Sequence, residues 1–320
     1  MEDKALQVGA AVLTLALLLR LGGTWSRGQE ELGRTLLFLS SGRLVTETLP
    51  PETESATEPA QEAMAEPVEE AAVPVFGEDA EAFVQVNAAW EVDVLSLLEE
   101  PLQWNLRAEE PTVLILHSHA TESFEKEPGY EETSPYRTLD TAFNMVSIGE
   151  RVAEILESGG IRVIHDQTLY DYPNYNDAYI NAREAIEAHL AKNPSICMVL
   201  DLHRDAAEDA AGRQKTSSVT IDGVSTANLM LVMGSNKGNR TFPNWERNLA
   251  LAVKLQAQLE KTNPGLCKPI NLVTSRYNQD LCNGALLVEV GTAGNTHAEA
   301  LAAAEHLAAG ILVLENGANY

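Results

Sequence analysis

The chain is poor in cysteine, in positive charge and in aromatic residues. Its three cysteines, Cys197, Cys267 and Cys282, are too few and too widely spaced for a disulfide framework or a four-thiolate zinc site. Any metal centre must draw on histidine and carboxylates. Lys and Arg number 22 against 47 Asp and Glu, giving a net charge of −25. Without a basic stripe to meet phosphates, this composition argues against nucleic acid as a partner. P-loop, GxGxxG and GxSxG motifs are all missing, so neither a phosphate-cradling loop nor a nucleophile-elbow serine is signalled.

What charge there is falls unevenly. Residues 46–112 carry one basic and 17 acidic side chains. Upstream, Ala5–Leu19 is an apolar run broken by Gln7 and Thr14, read as a membrane-targeting segment. At 1.5 Å per residue the run is shorter than a hydrocarbon core of about 30 Å, so spanning requires Arg20 to snorkel and Leu21–Trp25 to contribute. No clear small-x-small cleavage site follows, which favours a retained anchor over a cleaved signal. The positive-inside rule reads Arg20, Arg27 and Arg34 as cytoplasmic. The expected organisation is an anchor or signal segment over residues 1–25, a linker over 26–111 that is acidic and disordered at 46–81, and a folded body over 112–320. The disorder follows from one-signed charge and low hydrophobicity, which cannot offset chain entropy. Phe83, Trp90, Leu95, Leu97, Leu98 and Trp104 offer one or two short helices to the body or to a partner.

From Thr112 onward, short β-branched runs alternate with amphipathic segments. Strands are expected at Val113–Leu116, Ile161–His165, Ile196–Leu202, Leu229–Met233, Ile270–Val273 and Ala285–Val290. Helices are expected at Asp140–Ser158, Asp177–Lys192, Pro243–Thr262 and Ala298–Leu314, the first ended by Gly159-Gly160 and the second by Pro194. The fold class is α/β, a mostly parallel sheet flanked by helices. In such folds the ligand site lies at the carboxyl ends of the strands.

Polar residues gather at those ends. The first strand runs into His117-Ser118-His119-Ala120-Thr121-Glu122-Ser123, the third into Asp201-Leu202-His203-Arg204-Asp205, and the last carries Glu289 among aliphatic neighbours. A carboxylate in that setting needs a partner or a task. Imidazoles and carboxylates converging on one sheet edge are the donor set of a catalytic Zn²⁺, which acidifies water while a nearby carboxylate removes the proton. Arg204 is expected to pair with Asp205. His189 and His306 are read as surface residues, and His297 as capping its helix or facing solvent. Tyr170, Tyr172, Tyr175 and Tyr179 are assigned to packing and loop surface, or alternatively to a glycan groove.

These segments, together with Asn144-Met145-Val146, Ile148-Gly149-Glu150, Arg276-Tyr277-Asn278-Gln279-Asp280 and Val288-Glu289-Val290-Gly291, resemble the stage II sporulation protein P family. That family's catalytic domain is similar to the zinc-dependent N-acetylmuramoyl-L-alanine amidases. The resemblance covers about Val113 to Leu314. It implies hydrolysis of the amide joining the lactyl group of muramic acid to L-alanine, with cleavage of peptide cross-links as a further activity. It assigns metal ligation to His119 and His203, and the catalytic carboxylate to Glu289. The third ligand in the amidases is a Glu four residues before an Asn; Asn144 places it on Asp140, one methylene shorter, with Glu122 as the alternative. Arg276, Tyr277 and Asn278 either contact the peptide stem or stabilise a turn. The family implies peptidoglycan as substrate, a membrane-held body outside the cytoplasm at the engulfing septum, and stage II sporulation proteins D and M as partners. Competing readings are a zinc exopeptidase acting on free peptides and a non-catalytic wall-binding scaffold.

Overall fold

The computed structural model describes residues 78–102, 105–238 and 241–318. The expected anchor, the acidic tract at 46–81 up to residue 77, and Trp104 lie outside the described residues. Nine strands occur among the described residues: β1 (Val86–Asn87), β2 (Val113–Leu116), β3 (Val163–His165), β4 (Met198–Asp205), β5 (Ser218–Ile221), β6 (Val224–Ala227), β7 (Leu229–Met233), β8 (Ile270–Leu272) and β9 (Ala285–Thr292). The helices are α1 (Val94–Glu99), α2 (Met145–Ser158), α3 (Ala178–Lys192), α4 (Trp245–Thr262) and α5 (His297–Ala318).

Seven strands form one sheet in the order β1-β8-β7-β9-β4-β2-β3. Every pairing is parallel except β7 with β9, so the sheet is two parallel blocks joined along one antiparallel seam. All four residues of β2 are buried, as befits a central strand covered on both faces. Alternation along the strands sorts the core. Val113, Ile115, Met198, Leu200, Leu202, Leu286 and Val288 pack with residues of α2, α4 and α5 on one face. Leu114, Leu116, Val199 and Ala285 pack with Ala182 and Ile186 of α3 on the other. With a period of two, Asp201 and His203 share the face of Val199, and Glu289 that of Ala285. The register sets His203 directly opposite Glu289.

Helix α2 ends as its glycines require. Gly160 takes φ +85°, Gly160 N donates to Glu157 O, and Ile161 N donates to Leu156 O, which satisfies the last carbonyls. Its start differs from expectation. Asn144 is the N-cap, Oδ1 accepting from Val146 N at 3.0 Å, so the helix begins five residues after Asp140. Asp140 instead closes the preceding turn, accepting from Phe143 N on its carbonyl and from Ala142 N on its carboxylate.

The folded unit also extends upstream of Thr112, where the sequence reading placed its boundary. β1 pairs with β8 at the sheet edge, and Gln85 N donates to Gln256 Oε1 at 2.8 Å. Lys254 Nζ donates to Leu98 O. The segment from Glu78 therefore covers α4, whose Lys254, Gln256 and Gln258 are buried for that reason. The β5–β6 hairpin was absent from the sequence reading. Its Asp222-Gly223 turn, with φ of 49° and 84°, matches the twist of antiparallel strands. Among the described residues α5 alone is long and apolar enough to cross a membrane; here it packs against α2 and α4 as a core helix.

Candidate metal centre

Strand β2 ends at Leu116 and delivers His117-Ser118-His119 into a buried turn, closed by Glu122 N donating to His119 O at 3.1 Å. The turn is anchored on β4. Ser118 N and Oγ donate to the two oxygens of Asp201 at 2.8 and 2.6 Å. Glu122 then pairs with Arg137 in an isolated bridge, and Ser123 pairs with Asn144 just before α2.

These constraints bring His119, Glu122 and His203 together. One ligand atom from each lies within 4.8 Å of the others. Glu122 Oε1 is 3.6 Å from His119 Nδ1, and Oε2 is 3.6 Å from His203 Nδ1. The imidazole centroids stand 5.1 Å apart and nearly perpendicular. Burial by itself would raise the Glu122 carboxyl, but the His203 hydrogen bond and the charges of Arg204, His203 and His119 outweigh it and hold the group at about 2. Arg137 Nη2 and Arg204 Nη1 approach the same carboxylate at 3.5 and 3.7 Å. Burial depresses His119, whereas His203, although buried, is raised by Asp201 and Glu122. Asp201 Oδ1 comes within 2.9 Å of His203 Nε2 but off the N–H direction, so Nε2 has no aligned partner among the described residues.

Glu289 occupies the neighbouring strand. Its Oε2 is buried with no hydrogen-bond partner among the described residues, and burial pushes its carboxyl up to about 8, with Glu122 and Asp205 adding to the rise. Asp140 does not join the group: it is exposed, on the turn described above. Glu122, three residues past His119, occupies the third position. Arg276 Nη1 donates to Asp280 Oδ2 at 2.9 Å and to Thr241 O, while Asn278 Nδ2 donates to Tyr179 O at 2.8 Å. Tyr277 and Asn278 adopt φ of 49° and 60°, a left-handed pair that side chains rarely enter.

The sequence reading missed Arg137 and left Tyr175 and Tyr179 between packing and a glycan groove. Tyr175 stacks on His119 at 4.4 Å, and Tyr179 stacks on His203 at 6.1 Å while meeting His119 edge-on. Arg137 lies 4.2 Å over the Tyr175 ring and donates to Asp171 at 2.9 Å. Arg204 does not pair with Asp205. A register shift between His203 and Asp205 redirects it to Ser123 O and Tyr136 O, at 3.0 and 3.1 Å. His117 faces away from the group, Nδ1 donating to Leu202 O at 3.1 Å and Nε2 lying 3.0 Å from His165 Nε2. His189 is tied to Asp166 and His297 to Ser147.

Fold and site together define an α/β protein with a candidate divalent-metal centre of two histidines and one carboxylate at its strand ends. A family model for stage II sporulation protein P matches residues 32–312, most of the chain. The chain belongs to that family. A relative, the stage II sporulation protein P of Bacillus subtilis (strain 168), is 31% identical over 195 residues, 57% of this chain and 46% of the relative. The chain thus spans about half the length of that curated relative. Similar solved structures include the catalytic domain of CwlV, an N-acetylmuramoyl-L-alanine amidase from Bacillus (Paenibacillus) polymyxa var. colistinus, at 14% identity and TM-score 0.38, covering 63% of this chain and 94% of that one. The amidase AmiC2 of Nostoc punctiforme is similar at 13% identity and TM-score 0.36, covering 63% and 95%.

Proposed function

We propose that this chain is a sporulation peptidoglycan hydrolase that cleaves the amide between the lactyl group of muramic acid and L-alanine, with Zn²⁺ as its cofactor. The observation that carries the reading is the convergence of His119, Glu122 and His203 beside a carboxyl, Glu289, whose Oε2 has no partner among the described residues. Two imidazoles, which lose their protons on ligating, and a carboxylate fit Zn²⁺ in number and in donor type, with a position left for water. His119, Glu122 and His203 would hold the ion. When bound, Zn²⁺ would polarise the scissile carbonyl and acidify water.

The chain's own groups supply the rest. His203 and Arg204 keep Glu122 ionised, Arg137 approaches the same carboxylate at 3.5 Å, and Asp201 holds the turn that presents His119. Glu289, opposite His203 with a buried Oε2 that has no partner among the described residues, is placed to take a proton from the attacking water as the carboxylate and then to give it to the departing amine. Tyr175 and Tyr179 stack on the two histidines and fix the planes of their rings. The membrane tether, placement of the body outside the cytoplasm and contacts with stage II sporulation proteins D and M belong to the same proposal.

Digestion of purified sacculi by the full chain, read by mass spectrometry, tests it. New lactyl carboxyl ends paired with free L-alanine amino termini are expected, and are lost with Glu289→Gln. Release of single amino acids from free peptides with intact sacculi would favour the exopeptidase instead.

A further inference from the structure

A second cavity adjoins the centre through Tyr179. It is a cleft of about 600 Å³ whose lining includes Tyr179, Lys237, Thr274, Arg276 and Tyr277. One wall is shared with the metal group: the Tyr179 ring stacks on His203 and lies 5.6 Å from that of Tyr277. Tyr179 therefore belongs both to the cleft and to the surroundings of the metal group.

Its charge runs against that of the molecule. In a chain of net charge −25 the lining holds two cations and no acid. Lys237 is exposed and makes no ion pair among the described residues. Arg276 is matched on one side by Asp280, yet its Nε is buried and has no acceptor among the described residues.

The walls are also rigid. Gln279, 2% exposed, bridges Gly234 N and Val232 O at 2.8 Å each, and Asn248 Nδ2 donates to Gln279 O. A Cβ on Gly238 would stand 2.6 Å from Thr274 O, so the two sides of the cleft touch at backbone level there. Left-handed Tyr277 and Asn278 are disfavoured locally and persist only where surrounding contacts over-determine the loop. Such a loop presents Arg276 and Tyr277 in fixed positions.

We infer that this cleft is a carboxylate-binding subsite for the peptide half of the substrate, with Lys237 and the part-exposed Arg276 guanidinium as its cations. The inference rests on the proposed amide hydrolysis: the peptide leaving such a bond carries free carboxylates a few residues from the new amino terminus. An ammonium and a guanidinium lining one cleft suit a carboxylate, Arg276 fixing its direction and Lys237 adding a point charge.

Calorimetric titration of the zinc-loaded full chain with a synthetic stem tripeptide, and with the same peptide fully amidated, tests the subsite apart from turnover. The wild type is expected to prefer the free acid about threefold to tenfold. Lys237→Ala should reduce that preference to less than about twofold, and Lys237→Arg should restore most of it. An undiminished preference in Lys237→Ala, equal affinity of the wild type for both peptides, or no binding of either would overturn the inference. Preference retained by a protein that leaves sacculi intact would instead count against the hydrolase reading and leave the subsite standing.

Discussion

Gly149 lies on the buried face of α2, and a Cβ built there would stand 2.5 Å from His117 Nε2 and 2.6 Å from His165 Nε2. Neither ring has slack. His117 is held by Leu202 O and His165 by Glu150, at 3.1 and 3.0 Å. Gly149→Ala should gain about 0.5–1 kcal/mol of helix propensity. Against this stand about 1–3 kcal/mol for overpacking and about 1 kcal/mol for the disrupted His117–His165 hydrogen bond. The net expectation is a loss of about 2 kcal/mol, measured by urea unfolding of metal-free protein. Repeating the substitution in a His165→Ala background supplies the control, because His117 can move into the vacated space and the loss should fall below about 1 kcal/mol. A variant stabilised by its helix propensity alone, or equal costs in the two backgrounds, would refute the steric argument.

Further expectations concern the site and the core. Glu289→Gln should retain zinc while losing at least about a hundredfold in turnover on sacculi, since the proton carrier is removed and the ligands are not; unchanged turnover would remove its role. His203→Ala should lose both zinc and activity by metal analysis, and full zinc occupancy would take His203 out of the ligand set. Lys254 is depressed by burial from its ordinary 10.5 to about 8, so its contribution to stability is present above 10.5 and lost as pH falls through 8. The wild type should therefore gain about 3 kcal/mol relative to Lys254→Met between pH 7 and pH 10.5 in denaturant titrations. A pH-independent difference would show that Lys254 keeps an ordinary proton affinity in the fold.

The strands and helices that place the site were legible because β-branched runs and amphipathic segments alternate with clear stops, such as Gly159-Gly160 after α2. His119, His203 and Glu289 stood out as polar residues at strand ends or within an aliphatic strand, a local signal. The start of α2 was harder: Asp140 and Asn144 both carry capping chemistry, and only the fold shows that Asn144 caps the helix while Asp140 closes a turn. Glu122 was visible as a spacing, three residues past His119, yet its pairing with Arg137 depends on a loop closing back across fifteen residues. Tyr175, Tyr179 and Arg137 reach the histidines through tertiary contacts that no periodicity encodes. Arg204 illustrates the same limit, since the strand irregularity that redirects it leaves no mark in composition. The Asp222-Gly223 hairpin carries a turn signal between alternating residues, and the sequence reading passed over it.

The most direct measurement is the zinc content of the full chain beside that of Glu122→Ala and Asp140→Ala, each dialysed against the same zinc buffer. About one equivalent is expected in the parent and in Asp140→Ala, with near-complete loss in Glu122→Ala. Zinc retained by Glu122→Ala and lost from Asp140→Ala would contradict the centre described above.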